Sequence, residues 1–280
     1  MMLPDPVTGG RDLFASVFSD EPVPDIEAAI VVAHPGDEAV SASWFMARLQ
    51  ERTSVYCLAR AAHSCPGGLT RDTVVLDATA GSNTASTAAA AALAGVPPER
   101  CHNLGLSESE LARDLEALVW LTMAAVSGVK PRVLVTHACE GQNLDHDATA
   151  FAVHMTARLL TRAGSAAPLI VELPRHPVNE STPGTLLSRQ AVRIEFGPES
   201  RKVKKRMLQC HCDEHTLLDG AVLHSESYVL AAAGNPIDTI AEGAEAYVDA
   251  PWCPMADFRR HARDVAAALS AAVLSPPSRA

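Results

Sequence analysis

Short runs rich in Val, Ile and Leu occupy residues 26–33, 54–59, 132–137 and 168–173, with a weaker run at 101–104. Their length and β-branched content predict buried strands. Between them, apolar residues recur at helical spacing over 39–51, 84–95, 108–127 and 147–163. Gly95-Val96-Pro97-Pro98 and Gly128-Val129-Lys130-Pro131 sit where helices should stop, because Gly relaxes into a C-terminal cap and Pro cannot continue a helix. Strand alternating with helix predicts an α/β domain with a largely parallel sheet flanked by helices. After residue 174 the pattern changes to a loop-like stretch, then a strand from Val192 to Phe196 and a helix from about 199. This predicts a single domain over 26–274, in which 174–274 forms a cap over the strand ends. Pro-rich residues 1–25 and the tail 275–280 are expected to be loose.

The 280 residues are enough for a full core, and 48% apolar with 20% charged residues is an ordinary globular balance. No stretch has the length or composition of a signal peptide or a membrane span, so a soluble, cytoplasmic protein is expected. A net charge of −10 disfavours nucleic acid as a partner and points to a small-molecule substrate. A homo-oligomer remains compatible with the sequence. The basic run Arg201 to Arg206 is expected to be the solvated side of a helix. Seven scattered cysteines suggest reduced thiols, not a disulfide framework.

Two predicted strands end in polar clusters, and ligand crevices in open α/β sheets lie beyond the carboxyl ends of strands. The first ends in His34-Pro35-Gly36-Asp37-Glu38. The second runs into His137-Ala138-Cys139-Glu140-Gly141-Gln142-Asn143-Leu144-Asp145-His146-Asp147. Three residues separate His34 from Asp37, so a turn can aim both at one ion, and His146 adds a second nitrogen. Two imidazoles, a carboxylate and an open position make the donor set of a catalytic Zn2+ site. Such an ion polarises a carbonyl and makes a water acidic near neutrality. The structural alternative is that these residues cap the helices that follow. Cys139 has no evident activating partner and reads as an inert small residue.

These residues carry a resemblance. AHPGDE at 33–38 resembles the AHPDDE motif of the LmbE-like, or PIG-L, deacetylase family, and LDH at 144–146 resembles the PDH of its second motif. The stretch Lys205 to Glu214 is similar to the K-x-x-x-L-x-x-H-x-S-Q helix of that family, with His211 on the motif histidine. The resemblance implies a Rossmann-like fold, one zinc ion on His34, Asp37 and His146, and hydrolysis of an N-acyl bond. It further implies substrates such as N-acetylated amino sugars, thiol conjugates or glycopeptide antibiotics, often in natural-product biosynthesis.

Two positions depart from the family pattern. Gly36 stands where the family has the aspartate that acts as general base, and Asn143 where it has a histidine that stabilises the oxyanion. Asparagine still donates a hydrogen bond but carries no charge. Glu38 and Glu140 lie close enough in sequence to replace the base, Asp145 reads as a carboxylate buttressing its neighbours, and His211 is a candidate donor into the cleft. Glu140 and Gln142 are expected to meet substrate. An R-x-x-E pair of the family falls on Asn83 and Ser86, and His63 and Cys65 lie in a loop that could contact substrate. Three readings stay open: a metal-dependent amidase, a metal enzyme repurposed for acyl transfer, cyclisation or elimination, and a metal-binding pseudoenzyme.

Overall fold

The computed structural model describes residues 6–22, 24–60, 80–108, 110–175, 190–211, 223–232, 234–239, 247, 250 and 253–272. Seven strands form one sheet: β1 (Ala28–Val32), β2 (Thr53–Arg60), β3 (Cys101–Ser107), β4 (Val133–His137), β5 (Leu169–Leu173), β6 (Ala191–Glu195) and β7 (Ser225–Leu230), in the order β3-β2-β1-β4-β5-β7-β6. The first five are parallel, and β7 and β6 close one edge antiparallel. From β1 the chain winds outward through β2 and β3, then returns to place β4 on the other side of β1. This reversal opens a crevice at the carboxyl ends of β1 and β4, and both polar clusters fall there.

The alternation of side chains along β1 divides the core. Ala28, Ile30 and Val32 face one layer, with Phe45 and Met46 of α3 (Ser43–Leu49) and Met207 of α7 (Pro198–Gln209). Ala29 and Val31 face the other, with Leu118 of α5 (Leu115–Ser127), Phe151 of α6 (Leu144–Arg162) and Phe258 of α8 (Met255–Ala272). The fully buried strands are the signature of a sheet covered on both faces. Three further helices complete the described α-helices: α1 (Pro6–Val17), α2 (Asp37–Ser41) and α4 (Ala80–Ala92).

Three expectations need correction. Residues 6–17 are not loose: they form α1, whose Phe14 and Val17 are fully buried. The aromatic side chains anchor it, with Phe18 stacking on Trp44 at 5.3 Å and packing against Tyr228 at 4.9 Å. Second, β6 and β7 lie in the sheet and extend it, instead of capping its strand ends. Strand β7 has no apolar run to reveal it, because Ser225, Glu226 and Ser227 are buried polar residues. Third, the basic run is only partly solvated: Arg201, Lys202, Lys205 and Arg206 are exposed, but Lys204 is buried.

Lys204 explains a break between α2 and α3. Its Nζ donates to Val40 O at 2.6 Å and to Glu226 Oε1 at 2.5 Å. The Glu226 carboxylate also accepts the Ser43 N–H and hydroxyl, the Trp44 N–H and the Tyr228 hydroxyl. One buried carboxylate thus satisfies the first amides of α3, which no side chain of that helix caps. The end of α2, whose first residue is Asp37, is tied to the same network.

Cys212 to Glu214, His63 and Cys65, the side chain of Asn83 and the tail 275–280 lie outside the described residues. The five described cysteines, at 57, 101, 139, 210 and 253, form no disulfide with one another. No helix among the described residues is long and apolar enough to cross a membrane.

Candidate metal centre

Strand β1 delivers His34 two residues past its end, and the chain then turns sharply at Gly36, with φ 103°. That left-handed conformation is cheap for glycine and strained for other residues. It reverses the chain so that Asp37 opens α2 with its carboxylate turned back: Asp37 Oδ2 accepts the His34 N–H at 2.9 Å. On the other side of the crevice, Asn143 caps α6 by accepting the His146 N–H on Oδ1 at 2.8 Å. This puts His146 in the first turn, where its imidazole reaches back over β4.

The two segments meet at one atom. Asp37 Oδ2 lies 3.4 Å from His34 Nδ1 and 3.5 Å from His146 Nε2, and the three donor atoms lie within 4.8 Å of one another. Two ligands each about 2.0–2.1 Å from a zinc ion at a tetrahedral angle stand about 3.3–3.4 Å apart. The donor set therefore fits a divalent ion in both chemistry and spacing. His34 Nε2 is engaged by Asp145 Oδ2 at 3.0 Å, which leaves Nδ1 as the nitrogen facing the cluster. A carboxylate behind a histidine is the usual device for fixing a ligand's tautomer.

Protonation in the metal-free chain follows from these contacts. Burial opposes charge on His34, but hydrogen bonds and attraction from Asp145 and Asp37 outweigh it and raise its pKa to about 10. Burial likewise opposes charge on Asp37, yet His146 and His34 hold its carboxyl well below the ordinary value. Burial and the neighbouring His137 lower His146 to about 4, so it is neutral and able to coordinate at physiological pH.

His137, to which the sequence assigned no role, also belongs to the cluster. Its ring stacks on His146 at 3.8 Å and 11°, and its Nε2 lies 3.4 Å from Asp37 Oδ2. That nitrogen accepts the Ala33 N–H at 3.0 Å, which removes its lone pair from use as a ligand. His137 therefore braces His146 and the β1 end. Its position as the last residue of β4 was the available signal.

The remaining candidates separate into two groups. Glu38 and His211 meet each other at the α2 turn. Glu38 is fully buried, Oε2 accepts the Gly36 N–H at 2.7 Å, and Oε1 lies 2.8 Å from His211 Nε2, off the line of a good hydrogen bond. Burial opposes charge on His211, but the Glu38 carboxylate raises its pKa nevertheless. His211, expected as a donor into the cleft, has a side chain 4% exposed that lies against Glu38 at the α2 turn. Glu38, fully buried with Oε2 bound to the Gly36 N–H, is poorly placed to act as a general base.

Glu140, Gln142 and Asn143 do border open space. With Ala138, His146, Asp147 and Arg175 they line a small open depression. Asp147 shapes its wall: Oδ1 accepts the Glu140 N–H at 3.0 Å, and Oδ2 accepts the Gly141 N–H at 2.9 Å and the Tyr247 hydroxyl at 2.7 Å. Glu140 Oε2 accepts the Arg175 N–H at 3.0 Å. Burial raises the Glu140 carboxyl to about 7 and that of Asp147 to about 6. Burial also pushes the Cys139 thiol well up, which keeps it protonated and a poor nucleophile.

Residues 29–157, just under half of the chain, match the family model described as PIG-L: GlcNAc-PI de-N-acetylase. No curated protein matches the sequence. Among solved structures, a conserved protein from Thermus thermophilus superposes with a TM-score of 0.53 at 16% identity, over 74% of this chain and 95% of its own. A deacetylase of the teicoplanin biosynthetic pathway gives 0.53 at 14% identity, over 74% and 100%. The N,N'-diacetylchitobiose deacetylase of Pyrococcus horikoshii gives 0.52 at 12% identity, over 81% and 93%. At such identities the superpositions speak for the fold, a mostly parallel seven-stranded sheet flanked by helices. Residues 29–157 thus carry a PIG-L, or LmbE-like, deacetylase-family domain.

Proposed function

We propose that this protein is a metal-dependent hydrolase of an N-acyl, typically N-acetyl, amide on an amino sugar or a related specialised metabolite, with Glu140 in the role of the absent general base. The convergence of His34, Asp37 and His146 on Asp37 Oδ2 carries this reading. A divalent ion such as zinc held by these three residues would supply Lewis-acid polarisation of the amide carbonyl and a more acidic water. The chain's own groups do the rest. Asp145 keeps His34 oriented through Nε2. Glu140 borders the same depression as His146; its Oε1 makes no hydrogen bond to a described residue and can take a proton from the attacking water while Oε2 stays tied to the Arg175 N–H. A carboxyl shifted toward neutrality by burial suits that exchange. Asn143 has Oδ1 committed to the His146 N–H, so Nδ2 is the end left to donate to the developing oxyanion.

One observation favours a second reading, a non-hydrolytic reaction at the same centre: the left-handed turn at Gly36 disfavours any side chain there. Acetate release from N-acetylated amino sugars, compared between the parent and Glu140→Gln, separates the two. A fall of about 10²–10⁴ in rate supports hydrolysis with Glu140 as base, and a rearranged product with no acetate supports the alternative.

A further inference from the structure

We infer that the substrate carries an anionic group, a carboxylate or a phosphate, and that Arg175 recognises it; this deepens the reading above by naming a substrate class. Arg175 is half-buried two residues beyond β5, on the wall of the depression that His146 also lines. Its backbone is fixed by the N–H bond to Glu140 Oε2, so the side chain projects from an anchored point. The guanidinium closes no hydrogen bond or short ion pair with any described residue and acts on the Glu140 carboxylate only at longer range, although two carboxylates border the same space.

Neither neighbouring carboxylate closes a contact with the guanidinium. Asp147 uses its oxygens for the Glu140 and Gly141 amides and the Tyr247 hydroxyl. Glu140 uses Oε2 for the Arg175 amide, and its proximity to neutrality leaves the arginine only partly offset. The remaining polar side chains at the rim are donors too: Asn143 can offer Nδ2, and Gln142 is exposed. A partly desolvated guanidinium that no described side chain pairs, beside amide donors, matches a planar or tetrahedral oxyanion better than a neutral sugar face.

The test is equilibrium binding by calorimetry of three probes to the metal-loaded protein: N-acetylglucosamine, its 6-phosphate, and N-acetylmuramic acid, whose lactyl group supplies a carboxylate. At least one charged probe should bind roughly ten- to a hundredfold more tightly than the neutral sugar, the worth of a charge-assisted hydrogen bond. Preference for the phosphate or the carboxylate identifies which anion the site takes. Arg175→Gln should erase the preference, and Arg175→Lys should keep part of it, which a merely structural role for Arg175 would not produce. Equal binding of all three probes to the parent, or a preference that survives Arg175→Gln, would overturn the inference. Acetate release is followed separately: charge preference without it rejects the hydrolase but keeps the anion site, and release without preference does the reverse.

Discussion

Placing an aspartate at position 36 sets two structural consequences against each other. Gly36 lies at φ 103°, and placing an L side chain in left-handed backbone costs about 1–2 kcal/mol, at the low end for Asp. For a chain of this size, that lowers the thermal midpoint by about 2–8 °C. The new carboxylate would also stand beside Asp37 and Glu38, both buried. Against this, a general base contributes about 10²–10⁴ in rate, or about 2.7–5.4 kcal/mol of barrier. If Glu140 already fills the role, Gly36→Asp alone should lower stability and change acetate release little. In the Glu140→Gln background the same substitution should recover much of the lost rate. Calorimetric melting and acetate release on the parent, both single variants and the double variant complete the cycle. A large gain from Gly36→Asp alone, with no loss from Glu140→Gln, would refute the assignment of Glu140. An unchanged midpoint would refute the strain argument.

Other outcomes follow from the same geometry. Asp145→Asn leaves His34 in place but weakens the carboxylate that orients it, so metal affinity measured by chelator competition should fall about 10- to 100-fold. Lys204→Met strips the buried Glu226 of its cation, both side chains being 1% exposed, and should cost about 3–5 kcal/mol in denaturant unfolding; a loss below about 1 kcal/mol, the worth of a surface pair, would contradict the network. The pH dependence has a definite sign. His34 is raised in the folded metal-free chain from 6.5 to about 10, so its contribution to apo stability is complete below pH 6.5 and fades as pH rises through about 10. Metal must displace that proton, so binding at neutral pH should release it and tighten as pH rises, which calorimetry in buffers of different ionisation enthalpy detects.

How much of this was legible depended on the range of the interactions. Strands β1, β2, β4 and β5 announce themselves because a sheet covered on both faces demands continuous apolar runs. His34, Asp37 and His146 could be named because the fold places strand-end residues together at the crevice. Strand β7 was hidden because Glu226 is buried for the sake of Ser43, Trp44 and Lys204, which are far away in sequence. The lysine that fits the K-x-x-x-L-x-x-H spacing to Leu208 and His211 is Lys204, and only its burial against Glu226 separates it from the exposed basic residues around it. Glu38 and Glu140 look equally eligible as bases from their neighbours alone. Their contacts separate them, since Glu38 is closed in by Gly36 and His211 while Glu140 borders open space. Arg175 carried no sequence signal, because its meaning lies in which carboxylates fail to reach it.

The central claim is that residues of two distant loops grip one ion, and elemental analysis of the purified native protein tests it most directly. The account predicts about one divalent metal per chain, lost when His34→Ala and His146→Ala are combined in a variant that still melts cooperatively. A native protein that folds without metal and takes up none on titration, or a double variant that retains its metal, would contradict it.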